Sequence, residues 1–231
     1  MRIDLSRAVG AYAAVVTVAL VWLVAGGAAP SAARFDTVDV GRINVREPDG
    51  TLRMTISNRT AMPGLIVGKR EYPHPNRHEA GMIFFNDEGI ENGGLVFDGG
   101  LVKGQPANGG SLTFDRYKQD QTVQLTSIEQ GQSRYAGLIV NDRPDRPMDF
   151  DAMARLRTMP PGEARTQAFA DAGFGGTRRA YLGSTEDHAS RLELGDGKGQ
   201  VRLRLSVDSD GAAAIEFLDP SGHVVRRIAA K

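Results

Sequence analysis

The chain has 231 residues, with 28 basic and 28 acidic side chains, four His and no Cys. The lack of Cys excludes disulfides, thiol nucleophiles and cysteine metal sites. The balanced charge supplies no basic field for nucleic acid, and the 28 Gly residues favour tight turns over long helices.

Residues 8–33 carry no charge, and 11–25 are almost wholly apolar. A helix needs about 20 apolar residues to cross a bilayer, and 8–29 supplies that length. The sequence therefore predicts a single-pass transmembrane helix, meeting the lipid bilayer through residues 8–29, with Tyr12 and Trp22 at its interfaces. A short N-terminal stub stays inside, and the bulk of the chain is extracytoplasmic (periplasmic in a bacterial envelope). The competing reading is a signal peptide, with Ser31-Ala32-Ala33 as the small-x-small site and secretion after cleavage near Ala33. Gly10 and Ala14 form a small-xxx-small pair suited to helix pairing in a membrane. Setting aside Arg2, Asp4 and Arg7 leaves 26 basic and 27 acidic residues beyond the segment.

Next comes a strand-like hairpin. Ile43 to Arg46 leads into the turn Glu47-Pro48-Asp49-Gly50, and Thr51 to Ile56 alternates, with Leu52, Met54 and Ile56 on one face. Pro fixes φ, Asp bonds its own backbone and Gly accepts positive φ. Residues 58–80 read as an insertion before Met82–Phe85, a turn at 86–89, and Leu95–Phe97. Leu112–Phe114, Val123–Leu125 and Tyr135–Val140 are further strands, with a polar turn near Lys118-Gln119-Asp120.

Residues 141–190 read as a helical and loop connector. Asp149 can N-cap a helix over 152–158, ended by Pro160 and Pro161. A second helix runs from Glu163 to Ala172 and is closed by Gly173, with a loop over 173–179. Strands then return at 192–194, 200–207, 214–218 and 224–228, separated by Gly- and Asp-rich turns. Gly50-Thr51-Leu52-Arg53 and Gly199-Gln200-Val201-Arg202 match in register, so residues 43–98 and 191–229 read as two copies of a four-strand unit. This rhythm resembles that of bacterial β-repeat proteins, a likeness of shape that implies no activity. The expected fold is mainly β, with antiparallel hairpin-repeat sheets or a sandwich and a short helical insertion. Its parts are the anchor (1–33), a β-rich unit (34–140), the connector (141–190) and a second hairpin unit (191–231).

Candidate sites are few. His74 and His78 stand four apart with Glu79 beside them, but Pro73 and Pro75 forbid the helix that would aim both rings at one metal. Asp208-x-Asp210-Gly211 resembles the start of a calcium loop, yet residue 217 is Phe where that pattern needs Glu, so a hairpin turn is expected. Gly173 to Arg179 lacks a Walker Lys-Ser/Thr, and Gly195-x-Gly197-x-Gly199 falls between strands. Ser184, Asp187 and His188 are adjacent in sequence, which does not make a triad. No cofactor is implied. The function expected is an anchored extracytoplasmic binding or scaffold protein. It would engage an envelope partner or itself, as a homo-oligomer, through sheet edges or the 58–80 loop. The alternative is an exported carboxylate-dependent glycan hydrolase, for which pairs such as Asp149 and Asp151 supply candidates.

Overall fold

The computed structural model describes residues 5–25, 33–68, 70–75 and 77–230. The chain forms two compact units, residues 1–39 and 40–231. In the first, α1 spans Leu5–Ala25. Among the described residues no helix is long and apolar enough to cross a membrane. The span expected over 8–29 is therefore not supported by the structure and remains a reading of the sequence. Of the alternative cleavage site, Ser31 and Ala32 lie outside the described residues.

The second unit is mainly β. Its strands are β1 (Arg42–Arg46), β2 (Leu52–Ser57), β3 (Leu65–Val67), β4 (Arg70–Tyr72), β5 (Ala80–Phe85), β6 (Glu91–Val102) and β7 (Gln105–Asp115). After them come β8 (Gln121–Gln130) and β9 (Ser133–Asp142), then α2 (Phe150–Thr158) and α3 (Glu163–Asp171). The chain closes with β10 (Thr177–Ser184), β11 (Ser190–Gly195), β12 (Val201–Val207), β13 (Ala213–Leu218) and β14 (Val224–Ala229). Twelve of these strands form one antiparallel sheet in chain order, with only the small β3–β4 hairpin standing apart. One wide sheet thus replaces the smaller sheets or sandwich expected. Each expected four-strand unit is a run of neighbouring strands, β1-β2-β5-β6 and β11 to β14.

Six of the hairpins share one construction. Residue i donates its N–H to the carbonyl of i+4, and the N–H of i+3 returns to the carbonyl of i. This pair closes the turns starting at Glu47, Asn86, Thr185, Asp196, Asp208 and Asp219. The i+3 residue needs positive φ, which Gly222 meets at +83° and His188 at +63°. A Cβ added at Gly222 would meet nothing within 4 Å, so Gly222→Ala tests backbone strain alone. It should cost about 1–2 kcal/mol, the left-handed penalty of an L-residue, read as a lower thermal midpoint. An unchanged midpoint would remove the turn argument.

A register shift accompanies the first turn, between Val45 and Arg46. One extra residue reverses side-chain parity. Leu52 is accordingly buried with Ile83 and Phe85, not aligned with Met54 and Ile56 as the alternation predicts. Met62, Ile66 and Val96 pack onto that cluster, so the 58–80 insertion folds against the sheet.

The connector differs from expectation at its end. Residues 177–179 were expected in a loop, but Thr177 and Arg178 pair with Asp142 and Asn141 of β9, and Arg179 pairs with the Asp142 carboxylate. Sheet partners override the weak local preference of this Gly-flanked stretch. The helices follow prediction more closely. Asp149 caps α2 by accepting from the Ala152 N–H at 3.0 Å. Removing that acceptor in Asp149→Ala should cost about 1 kcal/mol, measured by urea unfolding. Full stability in the variant would show that the cap is replaced by solvent.

Candidate functional site

The sheet's twelve strands place one aliphatic residue each at the same level. Ile43, Ile56, Met82, Leu95, Leu112 and Leu125 are successive partners from β1 to β8. Leu138, Leu182, Leu192, Leu205, Ile215 and Ile228 continue the row from β9 to β14. Two residues along each strand lies a second row on the same face. It runs through Val45, Met54, Phe84, Gly93, Phe114 and Val123. Val140, Ala180, Leu194, Leu203, Phe217 and Arg226 complete it. Only Arg226, on the edge strand, brings a charge into either row.

Among the described residues nothing covers this face. Leu125 and Leu182 are 54% and 55% exposed, and Ile56 is 39% exposed while its neighbour Thr55 is fully buried. Over the N-terminal strands the usual burial pattern of a sheet is inverted: the side carrying Thr55 is covered and the aliphatic row is bare. Over β10 to β14 the bare face borders a hollow of about 820 Å³, lined by Leu182, Leu192, Leu205, Ile215 and Ile228.

Over β10 to β14 the opposite face is polar by the same registers. Tyr181, Glu193, Arg204, Glu216 and Arg227 are successive partners there. Glu193 sits between Arg178 and Arg204 at 3.1 and 3.2 Å, and Glu216 between Arg204 and Arg227 at 3.3 Å each. Toward the N-terminal half the insertion and the helices cover this face. Phe150 of α2 packs tilted against Tyr72 and edge-to-face against Phe174, Arg70 pairs with Asp151 at 2.6 Å, and Arg157 donates to the Pro73 carbonyl at 3.1 Å.

Beneath that cover is a cavity of about 210 Å³, lined by His74, Arg77, Glu91, Asp115 and Gln119 among others. Arg77 donates to Glu91 at 2.6 Å and to the carbonyls of Pro63 and Gly64 at 3.2 and 2.9 Å. Gln119 donates to the carbonyls of Arg146 and Gly173. Four buried atoms here have no protein partner: His74 Nδ1, Glu91 Oε2, Asp115 Oδ1 and Gln119 Oε1. Burial raises the pKa of Glu91 against the pull of Arg77. Burial, with the nearby Glu91 charge, pushes Asp115 up to about 7. Burial lowers His74, helped by Arg77 and Arg157.

The sequence-derived candidates fall apart in space. His74 lines the cavity, while His78 is exposed and its N–H donates to Glu79. Among the described residues no three His, Asp or Glu side chains are grouped to hold a metal. Asp149 is a helix cap, and Asp151 is held by Arg70 and Tyr72. Asp187 accepts from Thr185 and pairs with Arg191, and with His188 it builds the β10–β11 turn. Asp208 to Gly211 forms a hairpin turn. The aliphatic rows escaped sequence reasoning, although each strand's alternation carried the signal. Glu91 and Asp115 carried none. In comparisons with known proteins, the chain matches no protein-family model and no curated protein sequence.

Proposed function

We propose that this chain is a membrane-anchored, extracytoplasmic binding or scaffold protein that works through the aliphatic face of its sheet. The carrying observation is the unbroken aliphatic row across twelve strands. Monomeric soluble proteins rarely expose apolar patches beyond about 300–600 Å², and larger ones mark interaction surfaces. Eleven strand steps of roughly 4.8 Å, and two rows that each take up roughly 7 Å of strand length, make this patch about 700 Å². The edges suit the role less well, because Arg42, Arg46, Arg226 and Arg227 decorate β1 and β14, and edge charges oppose strand addition. The anchor and its topology rest on the charge-free run at 8–33. The two matching four-strand units are read as copies of one ancestral unit.

The hydrolase reading has one observation in its favour, the electrostatically coupled pair Glu91 and Asp115. Against it stands size: about 210 Å³ is below the roughly 300–1,000 Å³ of ligand pockets. The binding reading is therefore preferred.

Since the chain has no Cys, single cysteines report cleanly. Glu186→Cys, in an exposed turn, should react with a membrane-impermeant maleimide in intact cells. Leu182→Cys should be protected there and react after denaturation. Reaction at both positions would mean a bare face and sink the binding role; reaction at neither would place the domain on the other side of the membrane.

A further inference from the structure

We infer that the aliphatic face is covered by the same face of a second copy of this chain, so that two sheets stack into a sandwich across a two-fold axis. This rests on the binding role proposed above and names its partner. Four observations converge on a second copy rather than an unlike partner.

The first is layering. A sheet with one apolar face needs a second layer to bury it, and among the described residues β9 to β14 receive none on that face. Leu182, Leu194, Phe217 and Ile228 there are all about two-fifths exposed or more. The second is charge. An isologous interface sets each patch against itself, so any charge within it would meet its own kind. The twelve-residue first row has no charge, and the second has only Arg226, at the edge where it can reach solvent. The third is shape. Stacked sheets keep their strands within about 30° of each other because their twists match, and a copy carries the same twist by construction. The fourth is area. About 700 Å² from each of two copies totals about 1,400 Å², inside the roughly 1,200–2,000 Å² of stable specific interfaces. The dry, uniform row also lacks the placed polar groups that orient a small ligand.

With the rows fully overlapped, the two-fold axis runs along the strands over their middle, between β8 and β9. Leu125 then faces Leu138 of the second copy and lies one strand step, roughly 4.8 Å, to the side of its own equivalent, with the sheets about 10 Å apart and side chains interdigitated. Gln124, next in sequence, pairs with Thr113 and Ile139 on the polar face and points away from the partner.

The test is crosslinking of the full chain in native membranes with a short, membrane-permeant bismaleimide, since Cα atoms about 10 Å apart exceed the reach of a disulfide. Leu125→Cys and Gln124→Cys would each be the chain's sole cysteine. The expected result is a band of doubled mass for most of the Leu125→Cys protein and under a tenth as much for Gln124→Cys. Equal crosslinking of both, or of neither, overturns the inference. If Leu125→Cys stays uncrosslinked while Leu182→Cys is protected from maleimide, another occupant covers the face: the second copy is wrong and the binding role survives. If Leu182→Cys is freely labelled, both fail. A second measurement does not depend on the cysteine. By sedimentation of the detergent-purified full chain, Leu125→Asp should weaken dimerisation at least a hundredfold and Gln124→Asp less than threefold. A Leu125→Asp chain as dimeric as the parent overturns the proposal. Retained strand signal in circular dichroism shows the variants folded, and the Leu125→Cys crosslink carries the test if Leu125→Asp does not fold.

Discussion

Replacing Arg77 by Ala is expected to lower the unfolding free energy by about 3–5 kcal/mol, the usual cost of leaving one partner of a buried ion pair alone. Both side chains of the Arg77–Glu91 pair are nearly buried, at 12% and 11% exposed. Arg77 also holds the Pro63 and Gly64 carbonyls, so the substitution detaches the insertion as well as stranding a carboxylate. Urea unfolding of the parent and the variant measures the loss. The double variant Arg77→Met with Glu91→Gln should recover much of it, because no uncompensated charge remains. A loss below 1 kcal/mol in the single variant would show that water reaches Glu91 and that the pair is not a structural tie.

The second large effect is a pH dependence set by Asp115. Its folded pKa is pushed up to about 7 from an ordinary 3.8. A raised folded pKa means the native state holds a proton that the unfolded state releases. The stabilisation is therefore full below about pH 4 and is lost as pH rises through 7. At 1.36 kcal/mol per unit, that amounts to about 4 kcal/mol. Glu91 shifts in the same direction, while Arg143 and Arg77 oppose the shift of Asp115. Thermal midpoints measured from pH 4 to pH 8 should fall across this window in the parent chain. Asp115→Asn, which keeps the size and removes the titration, should flatten most of the decline. A profile equally steep in the variant would assign the effect to other carboxylates.

Most of the strand plan was legible. Ile43 to Arg46, Met82 to Phe85, and the hairpins after residue 190 are strands because alternation of period two and Asp/Gly turns are local properties. The Asp149 cap was legible for the same reason: a side chain bonding a backbone N–H three residues on needs nothing from the rest of the fold. Where local signals were neutral, prediction failed. Thr177 to Arg179 resembled a loop until β9 supplied hydrogen-bond partners. Leu52 was assigned to the wrong face because a bulge of one residue is invisible to an alternation count.

The sites separate along the same line. His74, His78 and Glu79 drew attention through chemistry and proximity in sequence, and the fold sends them to different surroundings. Glu91 and Asp115, 24 positions apart, become coupled only because β6 and β7 are neighbours and the insertion closes over them. The aliphatic rows are the sharpest case. Each strand alone shows an ordinary apolar side, expected to face a core. Only pairing in register, strand by strand, reveals that the twelve sides form one face and that no described element covers it.

By itself, then, the sequence determined most of the element types and turn positions and the two-sidedness of most strands, since these follow from spacing and backbone chemistry within a few residues. Tertiary structure alone decided that the strands make one sheet, that the insertion and helices cover the opposite side of its N-terminal half, and that the apolar side is left exposed among the described residues. Those outcomes depend on hydrogen-bond register and packing between residues far apart in the chain, and local spacing does not encode them.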